Sequence, residues 1–180
     1  MRVIAGSARG RKLVTPAGPA TRPTTDRVRE ATFNALGSLG AVEGATVLDL
    51  FAGSGALGIE ALSRGAAACT FVDTDRAARQ AVEANLATCG LARLASVVAS
   101  PAERHVAELA RTGTRVDLAL VDPPYDFDGW EALMAALPAD LAVLETGRPL
   151  ELPAGWDRLR AKQYGRTHVA ILERSGLGRM

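Results

Sequence analysis

The tetrapeptide Asp122-Pro123-Pro124-Tyr125 is the segment of this chain with the clearest capacity for chemistry. An acidic side chain and a backbone carbonyl can accept hydrogen bonds from an exocyclic amine, and a tyrosine ring can stack on the planar group that carries it. If Asp122 and the Pro123 carbonyl accept the two N–H hydrogens, the nitrogen lone pair turns toward an electrophile. The alternative is a Pro-Pro turn with an incidental acid. We predict catalytic roles for Asp122, Pro123, Pro124 and Tyr125.

Residues 49–58 predict a nucleotide-like cofactor. They contain Gly-x-Gly-x-x-Gly between a strand pattern and a helix pattern, and Asp73 lies 20 residues beyond Gly53, at the end of the next strand pattern. In doubly wound nucleotide-binding folds an acid at that place meets the ribose hydroxyls. The predicted cofactor-binding residues are Asp49, Phe51, Ala52, Gly53, Ser54, Gly55, Asp73 and Thr74.

Asp49 indicates which cofactor the glycine turn would hold. A dinucleotide would place its anionic pyrophosphate there, and a carboxylate at the end of the strand would repel it. S-adenosylmethionine has no phosphate and carries a cationic amino group and a sulfonium, which the same carboxylate attracts. We therefore expect S-adenosylmethionine rather than NAD, with Asp49 beside its methionine portion. Glu60 and Glu145 could approach this region, but we interpret them as ordinary helix and strand-end carboxylates.

Alternating strand and helix patterns position both segments. The predicted strands cover residues 46–51, 69–72, 95–98, 116–121 and 142–145, and a hairpin of residues 159–163 and 167–172 closes the sheet. The predicted helices run from Thr24 or Thr25 to residues 37–40, and over residues 56–63, 75–89, 101–111 and 130–137. This order predicts an α/β fold, a doubly wound, mainly parallel seven-stranded sheet with helices on both faces.

Positive charge is concentrated at the start of the chain. The 180 residues carry a net charge of +1, but residues 1–29 hold seven Arg or Lys against Asp26, a net +6, which leaves −5 for the remainder. Gly6 and Gly10 permit a tight reversal, so we predict a basic N-terminal β-hairpin and linker over residues 1–23, followed by the main domain over residues 24–180. A merely solvated, arginine-rich edge is the alternative. The predicted nucleic-acid-binding residues are Arg2, Arg9, Arg11, Lys12, Arg22 and Arg27.

The composition argues against several other classes of protein. The apolar stretches are shorter than a bilayer span, and the first residues lack the apolar segment of a signal peptide, so we expect a cytoplasmic protein without a membrane partner. Cys69 and Cys89 are isolated, which argues against a disulfide framework or a zinc site. We expect no metal and a monomer.

The sequence resembles the bacterial RsmD-type small-subunit ribosomal RNA guanine-N2 methyltransferases. The resemblance runs from Arg2 to about Glu173 and is carried by residues 9–13, 22–30, 49–65 and 122–125. It implies a class I methyltransferase fold, S-adenosylmethionine as methyl donor, and a guanine N2 amine in RNA of the small ribosomal subunit as acceptor. By the same resemblance the basic hairpin holds the RNA. Family members often carry an acid after the third strand that binds the adenine amine of the cofactor. Residues 99–102 contain no acid, so we expect Ser100, Glu103 or backbone groups to bind adenine instead.

Other functions fit parts of the same pattern. The tetrapeptide also suits enzymes that methylate adenine N6 in DNA or RNA, or a glutamine amide in a protein. A sequence-specific DNA enzyme would need a recognition domain for which 180 residues leave little room, and an amide methyltransferase has no evident need for a basic arm. An NAD-dependent oxidoreductase and a non-catalytic RNA-binding module remain alternatives. Small-subunit ribosomal RNA, free or in the assembled subunit, is the expected partner.

Overall fold

A computed structural model describes residues 1–16 and 25–176, and within them strands and helices alternate. The helices are α1 (Asp26–Ser38), α2 (Ala56–Ser63), α3 (Arg76–Cys89), α4 (Ala102–Thr112) and α5 (Trp130–Ala136). The strands are β1 (Thr46–Leu50), β2 (Ala68–Val72), β3 (Ala95–Val98), β4 (Val116–Val121), β5 (Ala139–Thr146), β6 (Trp156–Tyr164) and β7 (Thr167–Arg174). The predicted elements are all present, and the largest differences in length are in β5 and β6, which begin three residues earlier than predicted.

The described residues form one seven-stranded sheet with the order β3-β2-β1-β4-β5-β7-β6. The first five strands in this order are parallel, and β7 lies antiparallel between β5 and β6. The chain leaves β1 toward β2 and β3 and then returns to place β4 on the other side of β1. In open sheets of this kind, ligands bind where the strand order reverses, outside the carboxyl ends of the strands. The predicted fold class is confirmed.

Apolar side chains cover both faces of the sheet. One core contains residues of α1, α2 and α3 with Val47 of β1, and the other contains residues of α4 and α5 with Leu48 and Leu50. Successive side chains of a strand point to opposite faces, so Asp49 lies on the face of Val47, under α2 and α3. Buried parallel strands are apolar on both faces, which makes an acid in the middle of β1 conspicuous.

Helix ends follow the local sequence signals. Thr25 caps α1 by accepting a hydrogen bond from the Val28 N–H, and Asp75 caps α3 by accepting one from the Ala77 N–H. Gly90 ends α3 in the left-handed conformation. Thr24, the other predicted cap of α1, lies outside the described residues.

The N-terminal arm, residues 1–16, packs against the main sheet and its helices. Its antiparallel pairing is limited to one bridge, Arg2 to Lys12, so the predicted hairpin is present only as a short reversal. Val3, Ala8 and Leu13 of the arm are buried in the core beside α1 and α2. The predicted domain boundary, between residues 23 and 24, lies outside the described residues. No helix within residues 1–16 and 25–176 is long and apolar enough to cross a membrane.

Candidate functional site

The glycine loop, residues 51–55, turns the chain from β1 into α2 at the carboxyl edge of the sheet. Gly53 and Gly55 have φ angles of 55° and 76°, and Phe51 has a φ of 59°. This left-handed region is uncommon for a bulky side chain, and it costs about 1–3 kcal/mol unless the surroundings hold it. Ala52 N–H donates to the Val72 carbonyl at 3.1 Å and Gly55 N–H to the Ala52 carbonyl at 2.7 Å, so the loop is held tightly.

Asp49 lies directly beneath this loop and is 1% exposed. Its Oδ2 accepts a hydrogen bond from the Gly58 N–H at 2.9 Å. Burial raises the pKa of Asp49 to about 8, although the Gly58 hydrogen bond lowers it, and the nearby Asp73 carboxylate raises it further. A positive charge brought to this place would favour the ionised carboxylate. The site is therefore suited to a cationic ligand group.

Asp73 and Thr74 lie beside the glycine loop because β2 neighbours β1 in the sheet. Asp73 accepts the Gly53 N–H on Oδ2 at 2.8 Å and the Asp75 N–H on Oδ1 at 2.9 Å. Arg79 donates from Nη1 to the carbonyls of Asp73 and Thr74 at 3.0 and 2.7 Å. The carboxylate is thus fixed at the edge where the sequence predicts ribose hydroxyls, and Arg79, which is absent from the predicted site, fixes the backbone around it.

Gly58, the third glycine of the motif, allows α2 to pack closely on β2. A Cβ atom at this position would lie 2.4 Å from Phe71 Cε1 and 2.7 Å from Cys69 Sγ. The close approach also brings the Gly58 N–H to Asp49. The motif therefore positions the acid as well as the loop.

Asn85 of α3 joins the glycine loop to the N-terminal arm. Its Nδ2 donates to the Ser54 carbonyl at 2.8 Å and to the Val14 carbonyl at 2.9 Å, and its Oδ1 accepts the Val14 N–H at 2.8 Å. Asn85 is buried among Ala78, Ala81, Val82 and Leu86 of the same helix. Sequence reasoning missed it, although a polar residue within the apolar stripe of a helix was an available signal.

Glu60 holds the arm rather than a cofactor. It is fully buried in α2 and accepts the Ile4 N–H at 2.8 Å and the Ala5 N–H at 3.1 Å on its two oxygens. Arg64 Nε lies 2.7 Å from Oε1, and the buried Arg29 Nε lies 3.8 Å from Oε2. Glu60 is therefore a helix carboxylate, as interpreted, but one with a specific partner in the arm.

Ser63, one turn after Glu60, contacts the next part of the arm. Its Oγ accepts the Ala8 N–H at 3.0 Å and donates to the Ala5 carbonyl at 2.5 Å, and its carbonyl accepts the Ser7 N–H at 2.8 Å. A Cβ at Gly6 would lie 1.7 Å from this Ser63 carbonyl oxygen, which explains why a glycine with a φ of 82° occupies that position.

The Asp122–Tyr125 turn begins at the end of β4, next to the glycine loop. Val121 pairs with Leu50 in the sheet, so Asp122 and Phe51 follow neighbouring residues. Asp122 is half-buried, Pro123 is buried and Pro124 is exposed. The structure thus brings the Asp122–Tyr125 turn and the glycine loop together at one edge of the sheet.

Tyr125 projects into a cavity of about 420 Å³ at the same edge. Its side chain is 58% exposed, and its ring covers Gly147, where a Cβ atom would lie 2.6 Å from Tyr125 Cδ1. The cavity is lined by residues of α1, β5, β6 and β7, among them Arg27, Glu145, Lys162 and Tyr164. Such a volume is typical of small-ligand sites.

Five of the predicted nucleic-acid-binding residues are exposed in the structure. They are Arg2, Arg9, Arg11, Lys12 and Arg27. Arg22 lies outside the described residues. Arg29, which belongs to the basic segment of the sequence, is buried; it donates to the Arg2 carbonyl and pairs with Asp26 at 3.0 Å, so it adds no charge to the surface. Within the part of the chain that the structure describes, no group of three His, Cys, Asp or Glu side chains could hold a metal ion.

Ser100 and Glu103 are the two side chains that the sequence predicts for adenine recognition; Ser100 follows β3, and Glu103 lies in the first turn of α4. Ser100 Oγ donates to the Pro101 carbonyl at 3.0 Å. Glu103 lies beside Phe127 and Gly129, since a Cβ atom at Gly129 would be 3.6 Å from Glu103 Oε1 and 2.8 Å from Phe127 Cζ. Glu103 therefore lies close to Phe127, which follows the tetrapeptide by two residues.

Comparison with known proteins gives the family. The model of a family described as Conserved hypothetical protein 95 matches residues 1–173. "Ribosomal RNA small subunit methyltransferase D" of Escherichia coli is 41% identical over 190 residues, which cover 99% of this chain and 92% of that protein. The chain belongs to the RsmD family.

A second curated relative and a solved structure agree with this match. The Bacillus subtilis protein named "Putative rRNA methyltransferase YlbH" is 43% identical over 98% of this chain and 100% of its own length. The solved structure "Putative methyltransferase yhhF from Escherichia coli" superposes with a TM-score of 0.83 at 40% identity, covering 97% of both chains. The RsmD family match spans the arm, the glycine loop and the Asp122–Tyr125 turn, so the resemblance noted from the sequence is confirmed.

Proposed function

We propose that the protein transfers a methyl group from S-adenosylmethionine to the exocyclic N2 amine of a guanine in small-subunit ribosomal RNA. The observation that carries this proposal is the position of the Asp122–Tyr125 turn, which lies beside a glycine loop built over the buried Asp49. The RsmD relatives, named as small-subunit ribosomal RNA methyltransferases, support RNA as the acceptor.

The residues around the glycine loop fit S-adenosylmethionine. Asp49 and the backbone of residues 53–55 would bind its cationic amino acid portion, and Asp73 would accept hydrogen bonds from its ribose hydroxyls. Phe51, Ala52, Ser54 and Thr74 complete this wall of the site. When bound, S-adenosylmethionine supplies an electrophilic methyl group. NAD fits less well because its anionic pyrophosphate would oppose the ionisation of Asp49, whereas a cationic ligand group favours it.

The Asp122–Tyr125 turn would align the acceptor amine. The N2 lone pair of guanine is delocalised into the ring, which makes the amine a poor nucleophile. When Asp122 and the Pro123 carbonyl accept its two hydrogens, the lone pair points out of the hydrogen-bonding plane toward the donor side. The buried Pro123 and the exposed Pro124 fix this geometry, and Tyr125 stacks on the base. Transfer would form the N2–methyl bond and break the bond between that methyl group and the donor sulfur, which would release S-adenosylhomocysteine, and the amine would pass one proton to Asp122 or to water.

The N-terminal arm would bind the RNA that carries the target base. Arg2, Arg9, Arg11 and Lys12 are exposed on a segment that Glu60, Ser63 and Asn85 hold against the methyltransferase core. A fixed row of cations loses less freedom on binding phosphates than a free tail does. Arg27, which lines the cavity, would extend the same surface, and Arg22 stays a predicted RNA-binding residue.

The test is transfer of a labelled methyl group from S-adenosylmethionine to free small-subunit RNA and to unmethylated small subunits, followed by mapping of the labelled base. We expect label on N2 of one guanine. Label on adenine N6 or on a protein amide would show that guanine N2 is not the acceptor. Binding of S-adenosylhomocysteine without transfer to either substrate would favour an RNA-binding module, and binding of NADH in its place would favour an oxidoreductase.

A further inference from the structure

The β6 edge strand and the turn that follows it carry a second group of exposed cations. The net charge of −5 over residues 30–180 gives no sign of this group. Arg158, Arg160, Lys162 and Arg166 are all exposed, with Asp157 as the acid among them. Among residues 1–16 and 25–176, none of these four cations takes part in an ion pair. Cations that lie close together and form no ion pairs give this part of the surface a positive electrostatic potential.

A β-bulge places two of these cations on the face of the sheet that is covered by α1, and one of them, Lys162, lines the cavity. Arg158 pairs with Leu172, but the register shifts between Arg158 and Arg160, so that Arg160 pairs with Ile171 and Lys162 with Val169. Residues that pair directly have their side chains on the same face of a sheet. Leu172 belongs to the core under α4 and α5, whereas Ile171 and Val169 belong to the core under α1 and α2. The bulge thus moves Arg160 and Lys162 to the face of α1.

The same face contains the cavity into which Tyr125 projects. Arg27 of α1, Lys162 and Tyr164 of β6 and the Glu145 carboxylate of β5 all line it. The Lys162 Nζ lies 5.3 Å from the centroid of the Tyr164 ring, which holds the ammonium group at the rim. A planar group stacked on Tyr125 would therefore lie in a cavity whose lining includes two cations, Arg27 and Lys162, and one carboxylate, Glu145.

We propose that the β6–β7 hairpin is a second RNA-binding surface, on which Arg160, Lys162 and Arg166 bind phosphates of the strand that flanks the target base. This inference rests on the proposed function. Alternate residues of a strand lie about 6.6–6.8 Å apart, comparable to the separation of successive phosphates along a nucleic-acid strand. The hairpin and the N-terminal arm then bind RNA on two sides of the Asp122–Tyr125 turn.

The competing explanation is that these cations protect the exposed edge of the sheet. Arginine and lysine on an edge strand also prevent pairing with a second copy of the chain. The two explanations differ in their consequences, because protection alone has no effect on RNA affinity. The presence of Lys162 and Arg27 in the lining of the cavity that contains Tyr125 favours RNA.

The experiment compares Arg160→Ala/Lys162→Ala/Arg166→Ala with Arg93→Ala/Arg111→Ala/Arg115→Ala. The second triple removes the same charge from exposed positions that precede β3 and β4, at the amino edge of the sheet. Binding to unmethylated small subunits is measured at several salt concentrations, with methyl-transfer KM and kcat and with S-adenosylhomocysteine affinity. For the hairpin triple we expect the log–log salt slope to fall by about two, KM to rise about tenfold or more, and kcat at saturation and S-adenosylhomocysteine affinity to stay within about twofold.

Other results would contradict the proposed role of the hairpin. A salt slope and KM equal to those of the control triple would overturn the proposal, and self-association of the hairpin triple with unchanged KM would leave protection as its role. If the alanine triple fails to bind S-adenosylhomocysteine, the glutamine triple at the same positions replaces it and keeps the strand polar. Absence of methyl transfer by the wild-type protein would overturn the proposed function separately, and the salt slopes would still test the hairpin.

Discussion

The ring of Phe51 packs edge-to-face against the ring of Phe127, with centroids 5.2 Å apart. Phe51 belongs to the glycine loop and Phe127 follows Tyr125 by two residues, so the contact joins the proposed donor and acceptor sites. Such a pair contributes about 0.5–1.5 kcal/mol beyond its buried area, which offsets part of the cost of the left-handed Phe51 backbone. The two loops therefore form one structural unit rather than two independent turns.

Asp122→Ala should abolish methyl transfer and leave the cofactor site intact. The carboxylate is proposed to align the amine, and removal of a positioned acceptor of this kind costs about 100-fold or more in rate. Single-turnover transfer and calorimetric titration with S-adenosylhomocysteine separate the two effects. Turnover at the wild-type rate would exclude the role given to Asp122. If S-adenosylhomocysteine affinity fell together with the rate of transfer, Asp122 would instead act in cofactor binding.

Cofactor affinity should rise with pH because of Asp49. Its pKa of about 8 leaves the carboxyl largely protonated at neutral pH, and a cationic ligand favours the ionised form. Binding therefore releases a proton, and affinity for S-adenosylhomocysteine should increase by up to about tenfold per pH unit between pH 6 and 8. Calorimetry in two buffers of different ionisation enthalpy measures the released proton. Asp49→Asn should remove the dependence; a pH-independent wild-type affinity would show that no cation lies beside Asp49.

The fold and the glycine loop could be predicted because their signals are local. Apolar runs, the helix caps and a glycine turn are each defined within a few residues of the chain. Glu60 could not be assigned in this way, because its partners Ile4 and Ala5 lie 56 and 55 residues away and offer only backbone N–H groups. The hairpin cations were missed for a similar reason: the face that Arg160 and Lys162 share depends on a bulge in strand pairing.

Neutralising the arm should weaken RNA binding without changing the methyltransferase core. Arg9, Arg11 and Lys12 are exposed, and their replacement by alanine should flatten the salt dependence of binding to unmethylated small subunits, by about 0.7 in log–log slope for each phosphate that the variant no longer neutralises. S-adenosylhomocysteine affinity serves as the control because the cofactor loop is not altered. A salt slope identical to that of the wild type would place the arm away from the RNA.

Glu60→Gln should destabilise the protein and release the arm. The amide keeps only one of the two oxygens that accept the Ile4 and Ala5 N–H groups, and the buried Arg29 keeps only Asp26 as a counter-charge. Removing one partner of a buried ion pair costs about 3–5 kcal/mol. Urea denaturation should show this destabilisation, and trypsin should cleave the arm faster. Glu83→Gln, at an exposed position of α3, is the control and should change stability by less than about 0.5 kcal/mol. Equal protection of the arm in both variants would contradict the anchoring role.

Gly58→Ala and Gly37→Ala form a matched pair, because both add one methyl group to a helical glycine and only one of them has space for it. At Gly58 the new Cβ would lie 2.4 Å from Phe71 Cε1, whereas at Gly37 nothing lies within 4 Å. We expect Gly58→Ala to destabilise the protein by about 1–3 kcal/mol through overpacking and to weaken S-adenosylhomocysteine binding, since α2 must move away from Asp49. Gly37→Ala should stabilise it by about 0.5–1 kcal/mol through helix propensity and bind S-adenosylhomocysteine normally. Urea midpoints and titration measure both quantities. Equal behaviour of the two variants would mean that the tight packing of Gly58 on β2 does not position Asp49.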